Sequence, residues 1–227
     1  MKKKNLALIL SGILLLAAAV FLFVFTNNTQ GEEKWDDPEY VFNIDIPEDF
    51  EPHEIERVNM KIAQVKEIYD DRGEDNWVWV SLGNLYQFVN DFDRAIQAYE
   101  KSLEMFEYDL TSTLSLASIY QNHVVDLEKA EMYYKKAIDI NEDSADLYDR
   151  LAKFYYQKVK DVDAAEAIYL KGLEKTNNHP DLINDIIHFY GWVKKPEEQK
   201  KFIKIILELY PENTKFQKEF GHLLEEK

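Results

Sequence analysis

Apolar and polar residues follow four different regimes along this chain. From Leu6 to Phe25, twenty consecutive residues are uncharged, interrupted only by Ser11 and Gly12. A helix of that length, at about 1.5 Å per residue, matches the ~30 Å hydrocarbon layer of a bilayer. Residues 6–25 are therefore expected to form a transmembrane helix, with the lipid bilayer as its first partner. Between residues 26 and 52 the pattern changes: Pro38, Pro47 and Pro52 stand among carboxylates without a 3.6-residue apolar period, which predicts an acidic linker. Trp35, Tyr40, Val41, Phe42 and Ile44 are more apolar than a solvated tether needs, so part of this linker is expected to pack. From residue 53 to residue 75 the spacing of Ile55, Val58, Ile62, Val65 and Tyr69 predicts one amphipathic helix, ending near Arg72-Gly73.

The fourth regime is a repeat. Tyr86, Tyr120, Tyr155 and Tyr190 are 34, 35 and 35 residues apart, and Leu82, Leu116, Leu151 and Ile186 each precede one of them by four. Ala95, Ala130 and Ala165 likewise precede Tyr99, Tyr134 and Tyr169 by four, and Ser102, Ala137 and Gly172 follow those tyrosines by three. Large residues on a first helix and small residues on a second describe helical hairpins. None can bury its own apolar face, so neighbours must stack. The expected copies are 76–109, 110–144, 145–179 and a degenerate 180–214, followed by a closing helix at 215–227. The second and third copies hold one extra residue, expected between their helices. Asp91, Asp126 and Asp161, or Asp93 and Asp163, are placed to cap the second helices.

The segment running through Trp79, Leu82-Gly83, Tyr86, Ala95, Tyr99 and Ser102 resembles the tetratricopeptide repeat (TPR). The resemblance implies an all-α, right-handed TPR-like α-solenoid: three good repeats, one degenerate repeat and flanking helices behind the N-terminal membrane helix. It also implies a concave groove, lined by the first helices, that takes a peptide or a partner helix. The partner-binding positions it implies are Trp77, Asn84, Gln87 and Phe88 in the first repeat and Ser118, Gln121 and Asn122 in the second. In the third they are Arg150, Lys153, Tyr156 and Gln157, and in the fourth His188. Asp146, Asp149, Asp181 and Asp185 then make one end of the groove acidic, matching a partner with a basic segment. The two-carboxylate clamp of the chaperone-binding branch is matched at only two of its five places, Asn84 and Arg150. Val80, Ser115 and Asp146 occupy the others, so recognition of an acidic chaperone tail is not expected.

Charge fixes the sidedness. Lys2, Lys3 and Lys4 precede the apolar run and an acidic stretch follows it. The positive-inside bias then makes residues 1–5 a cytoplasmic flank and puts the repeats on the far side, as in membrane-anchored repeat proteins of bacterial envelopes. A cleaved signal peptide with its site at Ala17-Ala18-Ala19 is the competing reading. Apolar residues continue for six positions past Ala19, which favours an uncleaved anchor. Without those three lysines the remainder has 24 basic and 43 acidic residues, a net charge of -19. Nucleic acid is excluded as a partner on that balance.

Candidate chemistry is sparse. The chain has no Cys, which rules out a disulfide framework, a thiol nucleophile and a thiolate zinc site. His53, His123, His179, His188 and His222 include no pair at i, i+4 spacing, and no GxSxG, GxGxxG or GxxxxGK[ST] occurs. The sequence therefore predicts a non-enzymatic interaction scaffold with no cofactor and no metal. Its expected partner is a protein or peptide engaged in envelope protein translocation, assembly or quality control. Self-association into a homo-oligomer, or docking of an enzyme without catalysis, is the alternative.

Overall fold

The computed structural model describes Trp35 and residues 37–224. Among these, no helix is long and apolar enough to cross a membrane. The expected span at 6–25 and its flank lie outside the described residues. The chain divides into two compact units, Met1–Asp70 and Asp71–Lys227.

In the first unit, Asp37 accepts a hydrogen bond from the Glu39 N–H (2.9 Å), and Pro38 opens a single-turn helix, α1 (Pro38–Phe42). A proline at the first helical position loses nothing, because that N–H has no intrahelical acceptor. One turn is too short to show a period, which is why the sequence reads as linker here. Its apolar residues are nevertheless packed. Trp35, Val41 and Ile44 are buried, Trp35 meets Tyr40 edge-on, and Phe42 lies against Tyr69 of α2 (Pro52–Arg72). Val58 and Val65, seven residues apart, mark the buried stripe of α2.

The second unit is a run of helical hairpins. They are α3 (Asn76–Phe88) with α4 (Phe92–Met105), α5 (Leu110–Ile119) with α6 (Leu127–Ile140), α7 (Ala145–Phe154) with α8 (Val162–Lys175), and α9 (Pro180–Trp192) with α10 (Pro196–Leu209). The closing helix α11 (Thr214–Phe220) follows, ending in a 3-10 turn at Gly221–Leu224. The second helices α4, α6 and α8 start where Asp91, Asp126 and Asp161 accept the N–H of Arg94, Lys129 and Ala164. Asp75 and Asp109 do the same for α3 and α5. Carboxylates here satisfy amide donors that have no partner within the helix.

The extra residue of the second and third copies sits in a widened π-helical turn that ends the first helix, Tyr120–Val124 and Tyr155–Val159. The hydrogen bonds closing the hairpin record it. Asp91 N–H reaches back five residues to the Tyr86 carbonyl, whereas Asp126 and Asp161 reach back six, to Tyr120 and Tyr155. All four turns contain one left-handed residue: Asn90, Val125, Lys160 and Lys194. Asn tolerates that region, but a β-branched side chain does not. Val125, at φ 59° and 67% exposed, buries little that would offset the strain. Val125→Asn is therefore expected to raise stability by about 1 kcal/mol, read as a higher denaturation midpoint.

The small positions are sites of close approach. Gly83 lies under the Tyr99 ring within the first hairpin, and Gly172 meets Tyr148 of its own hairpin and Leu182 of the next. In the fourth hairpin the corresponding space is filled instead: Ile187 and Ile206 are fully buried, and Gln199 donates to the Ile187 carbonyl (3.1 Å).

The junctions between hairpins are of two kinds. At the first, a partly buried chain of hydroxyls and an amide ends on a carboxylate: Ser112 donates to Ser102 (2.8 Å), Ser102 to Asn76 (2.7 Å), and Asn76 to Asp109 (3.1 Å). At the second and third, a first-helix tyrosine donates to a glutamate on the preceding second helix, Tyr155 to Glu131 (2.7 Å) and Tyr190 to Glu166 (2.9 Å). Lys135 and Lys195 complete these ties. The equivalent of those glutamates at the first junction is Ile96.

Candidate functional site

The first helices α3, α5, α7 and α9, with the π-helical turns that end α5 and α7, carry the polar stripe singled out from the sequence. Trp77, Asn84, Phe88, Asn122, Arg150 and Gln157 are exposed on it; Gln87, Ser118, Gln121, Lys153, Tyr156 and His188 are half-buried.

Several of these side chains are held from behind by the repeated second-helix tyrosine. The Tyr99 proton is shared between Asn84 Oδ1 (2.8 Å) and Gln87 Oε1 (2.9 Å). Tyr134 donates to Gln121 Oε1 (2.8 Å), and Tyr169 donates to Asp149 Oδ1 (2.9 Å). Burial raises all three phenols, Tyr99 to about 12, so they remain protonated donors at neutral pH. With each amide oxygen engaged, the amide NH2 groups are the atoms left to the face. Gln121 gives one of its protons to Asn122 (3.2 Å), whose own amide donates to the Ser118 carbonyl. The first two repeats thus present N–H donors, which suit peptide carbonyls.

Asp149 is not available as a surface contact. It is 7% exposed and accepts from both Tyr169 and Lys153 (2.7 Å). Asp146 is paired with Arg150 (2.6 Å). Asp185 stands 4.0 Å from Lys153, and Asp181 lies 3.8 Å from the His179 ring. These carboxylates, with Asn141, Asp143 and Ser144, surround a cleft of about 430 Å³. Burial first, then the neighbouring Asp149, push the Asp185 carboxyl up to about 6; Lys153 and His188 oppose this and Asp181 adds to it. A carboxyl whose folded pKa is raised loses stabilisation as pH climbs from its unfolded value through the folded one. Asp185→Asn is therefore expected to stabilise the fold by about 1 kcal/mol at pH 7 and much less at pH 4. Paired melting curves at the two pH values test this.

Beyond the cleft the same face turns aromatic. Tyr156 stacks parallel to Trp192 (centroids 6.3 Å, 8°) and meets Phe189 edge-on. Trp192 is 53% exposed. His188 is partly engaged: its Nε2 lies 3.2 Å from Glu219 of α11, and its ring packs against Phe220 and Trp192. Among the described residues no group of three His, Cys, Asp or Glu could hold a metal ion.

The sequence reading missed the tyrosine props and the Glu219 contact. The props left a signal, since the same tyrosines that mark the repeat carry a polar tip that a buried ring must satisfy. Glu219 left none, because its contact depends on how α11 folds back.

Comparison with known proteins agrees with the helical-hairpin fold. Residues 78–109 and 114–144 match the family described as tetratricopeptide repeat. A search of curated proteins returns no match to the sequence. Among solved structures, MamA protein is similar in fold, with a TM-score of 0.53 at 19% identity over 73% of this chain and 89% of that one. A tetratricopeptide repeat protein from Parabacteroides merdae ATCC 43184 gives 0.51 at 15% identity over 74% and 70%. The chain thus carries tetratricopeptide repeats within an all-α solenoid.

Proposed function

We propose that this protein is a membrane-anchored scaffold whose first-helix groove binds a peptide or partner helix, without catalysis. The observation that carries the reading is the first-helix face itself: amides fixed with their donors outward, then an acidic cleft, then exposed aromatic rings, all on one run of helices. Props that set an amide's orientation before a ligand arrives reduce the ordering cost of binding. The apolar run at 6–25 and the lysines before it support an anchor with a cytoplasmic N-terminus and the repeats across the membrane, in a bacterial envelope. Tethering then raises the local concentration of the groove at the membrane surface.

Photoreactive groups at Gln87 and Tyr156 of the full-length protein, in its native membrane, test this. A discrete adduct with another envelope protein at both positions is the expected result. Adducts solely between copies of this chain would replace the reading with self-association. Adducts with cytosolic proteins would reverse the topology.

A further inference from the structure

The exposed aromatic pair of the third and fourth hairpins lies beside charge that its own neighbours leave unbalanced. On α9, Asp181, Asp185, His188 and Trp192 recur at intervals of four, three and four, and so form one stripe. On α7 and its terminal turn, Asp149, Lys153 and Tyr156 form another. The stripes run side by side, joined by Lys153 approaching Asp185 and by Tyr156 stacking on Trp192. Arg150 is committed to Asp146, and Lys153 is closest to the buried Asp149. Asp185 thus shares one ammonium, 4.0 Å away, with Asp149, and Asp181 has no Lys or Arg within ion-pair distance among the described residues, while Asp143 adds to the same field and Glu219 occupies His188.

We infer that the occupant of this end of the groove is an extended peptide segment carrying a Lys or Arg and, about three residues away, a bulky apolar side chain. The inference rests on the groove reading above and specifies its ligand. The apolar side chain covers the Tyr156–Trp192 face, and the cation enters the cleft between Asp181 and Asp185. The spacing comes from the helix: Asp185 and Trp192 are seven residues apart, about 10 Å at 1.5 Å per residue. An extended chain covers that distance in about three residues at ~3.3 Å each. An acidic segment would meet like charge at Asp181 and Asp185. The raised Asp185 carboxyl is what such a cation would return to its ordinary range, so binding near pH 6 releases protons.

A phage-displayed library of random peptides, panned against the full-length chain, tests the inference. Peptides enriched in a cation about three residues from Leu, Phe, Tyr or Trp are expected. Asp181→Asn with Asp185→Asn should weaken a recovered peptide about three- to tenfold and abolish the cation preference. Trp192→Ala should weaken it about tenfold or more and abolish the apolar preference. None of the three side chains is fully buried, and a cooperative circular dichroism melt, no lower than that of the parent chain, confirms that each variant is folded. Recovered peptides without a cation that still crosslink at Gln87 and Tyr156 would overturn this inference and leave the groove reading standing. Peptides that crosslink at neither position, or recovery of none, would overturn both.

Discussion

Gly83→Leu is expected to destabilise the first hairpin by about 3 kcal/mol. A Cβ at residue 83 would stand 2.6 Å from Cε1 of Tyr99 and 2.7 Å from its Cδ1, closer than real contacts allow. The ring cannot swing aside cheaply, because its hydroxyl is held by Asn84 and Gln87 and the whole side chain is buried. Relief would have to come from separating α3 from α4, which exposes the Trp79–Tyr86 core. The check is the denaturation midpoint beside that of Gly221→Ala, whose added Cβ meets nothing within 4 Å. Equal midpoints would mean that the two helices of the first hairpin do not approach as described. Gly83 is also one residue from Asn84, so the same variant should disturb the donor array of the first repeat.

Asp149→Ala comes next in size, with an expected loss of about 2–3 kcal/mol. Its carboxylate accepts the hydroxyl proton of Tyr169, a residue 1% exposed, and neutralises Lys153. Deleting it leaves a buried phenol with no acceptor and a half-buried ammonium with no near partner other than Asp185. Asp149→Asn keeps an acceptor for Tyr169 and should recover more than half of the loss. If Asn and Ala cost the same, the ion pair with Lys153 matters and the phenol does not. Removing the charge also takes away the chief electrostatic cause of the raised Asp185 carboxyl, which should move toward its ordinary range in a titration followed by carboxyl NMR shifts.

The architecture was legible because it is written in large side chains at a fixed interval. Tyrosines at 86, 120, 155 and 190 can only mean copies of one unit, and the alanine–tyrosine pairs assign the second helix of each. The capping aspartates were legible for the same reason, since they fall between two apolar runs. A one-residue insertion could be counted from the spacing, but not placed. Whether it loops out or widens the helix depends on backbone hydrogen bonds to Tyr120 and Tyr155 that no side-chain pattern encodes. The face that carries the candidate site was legible as positions, not as chemistry. Asn84, Gln87 and Gln121 read as free amides, and Asp149 as a surface charge, because sequence periodicity does not say which polar tip reaches which from the helix behind. The short helix at 38–42 escaped because a single turn has no period.

The two kinds of junction imply where disassembly starts. Lys135, then Tyr155, hold the Glu131 carboxyl below its usual range. For Glu166, burial acts upward but Lys195 and Tyr190 outweigh it, and it too is lowered. Stability from such groups is present above the unfolded carboxyl pKa and drains away as pH falls through the folded one. The first junction, built on hydroxyls and amides around one aspartate, has far less to lose. At the third junction protonation of Asp185 works the other way, relieving a carboxyl that burial holds up, so in acid the second junction should open first, releasing the third and fourth hairpins together while the first two stay joined. Each hairpin touches mainly its neighbours, so nothing obliges the rest to follow. Protons would thus cut the groove near its middle, parting the amide-lined half from the half that takes the cationic ligand.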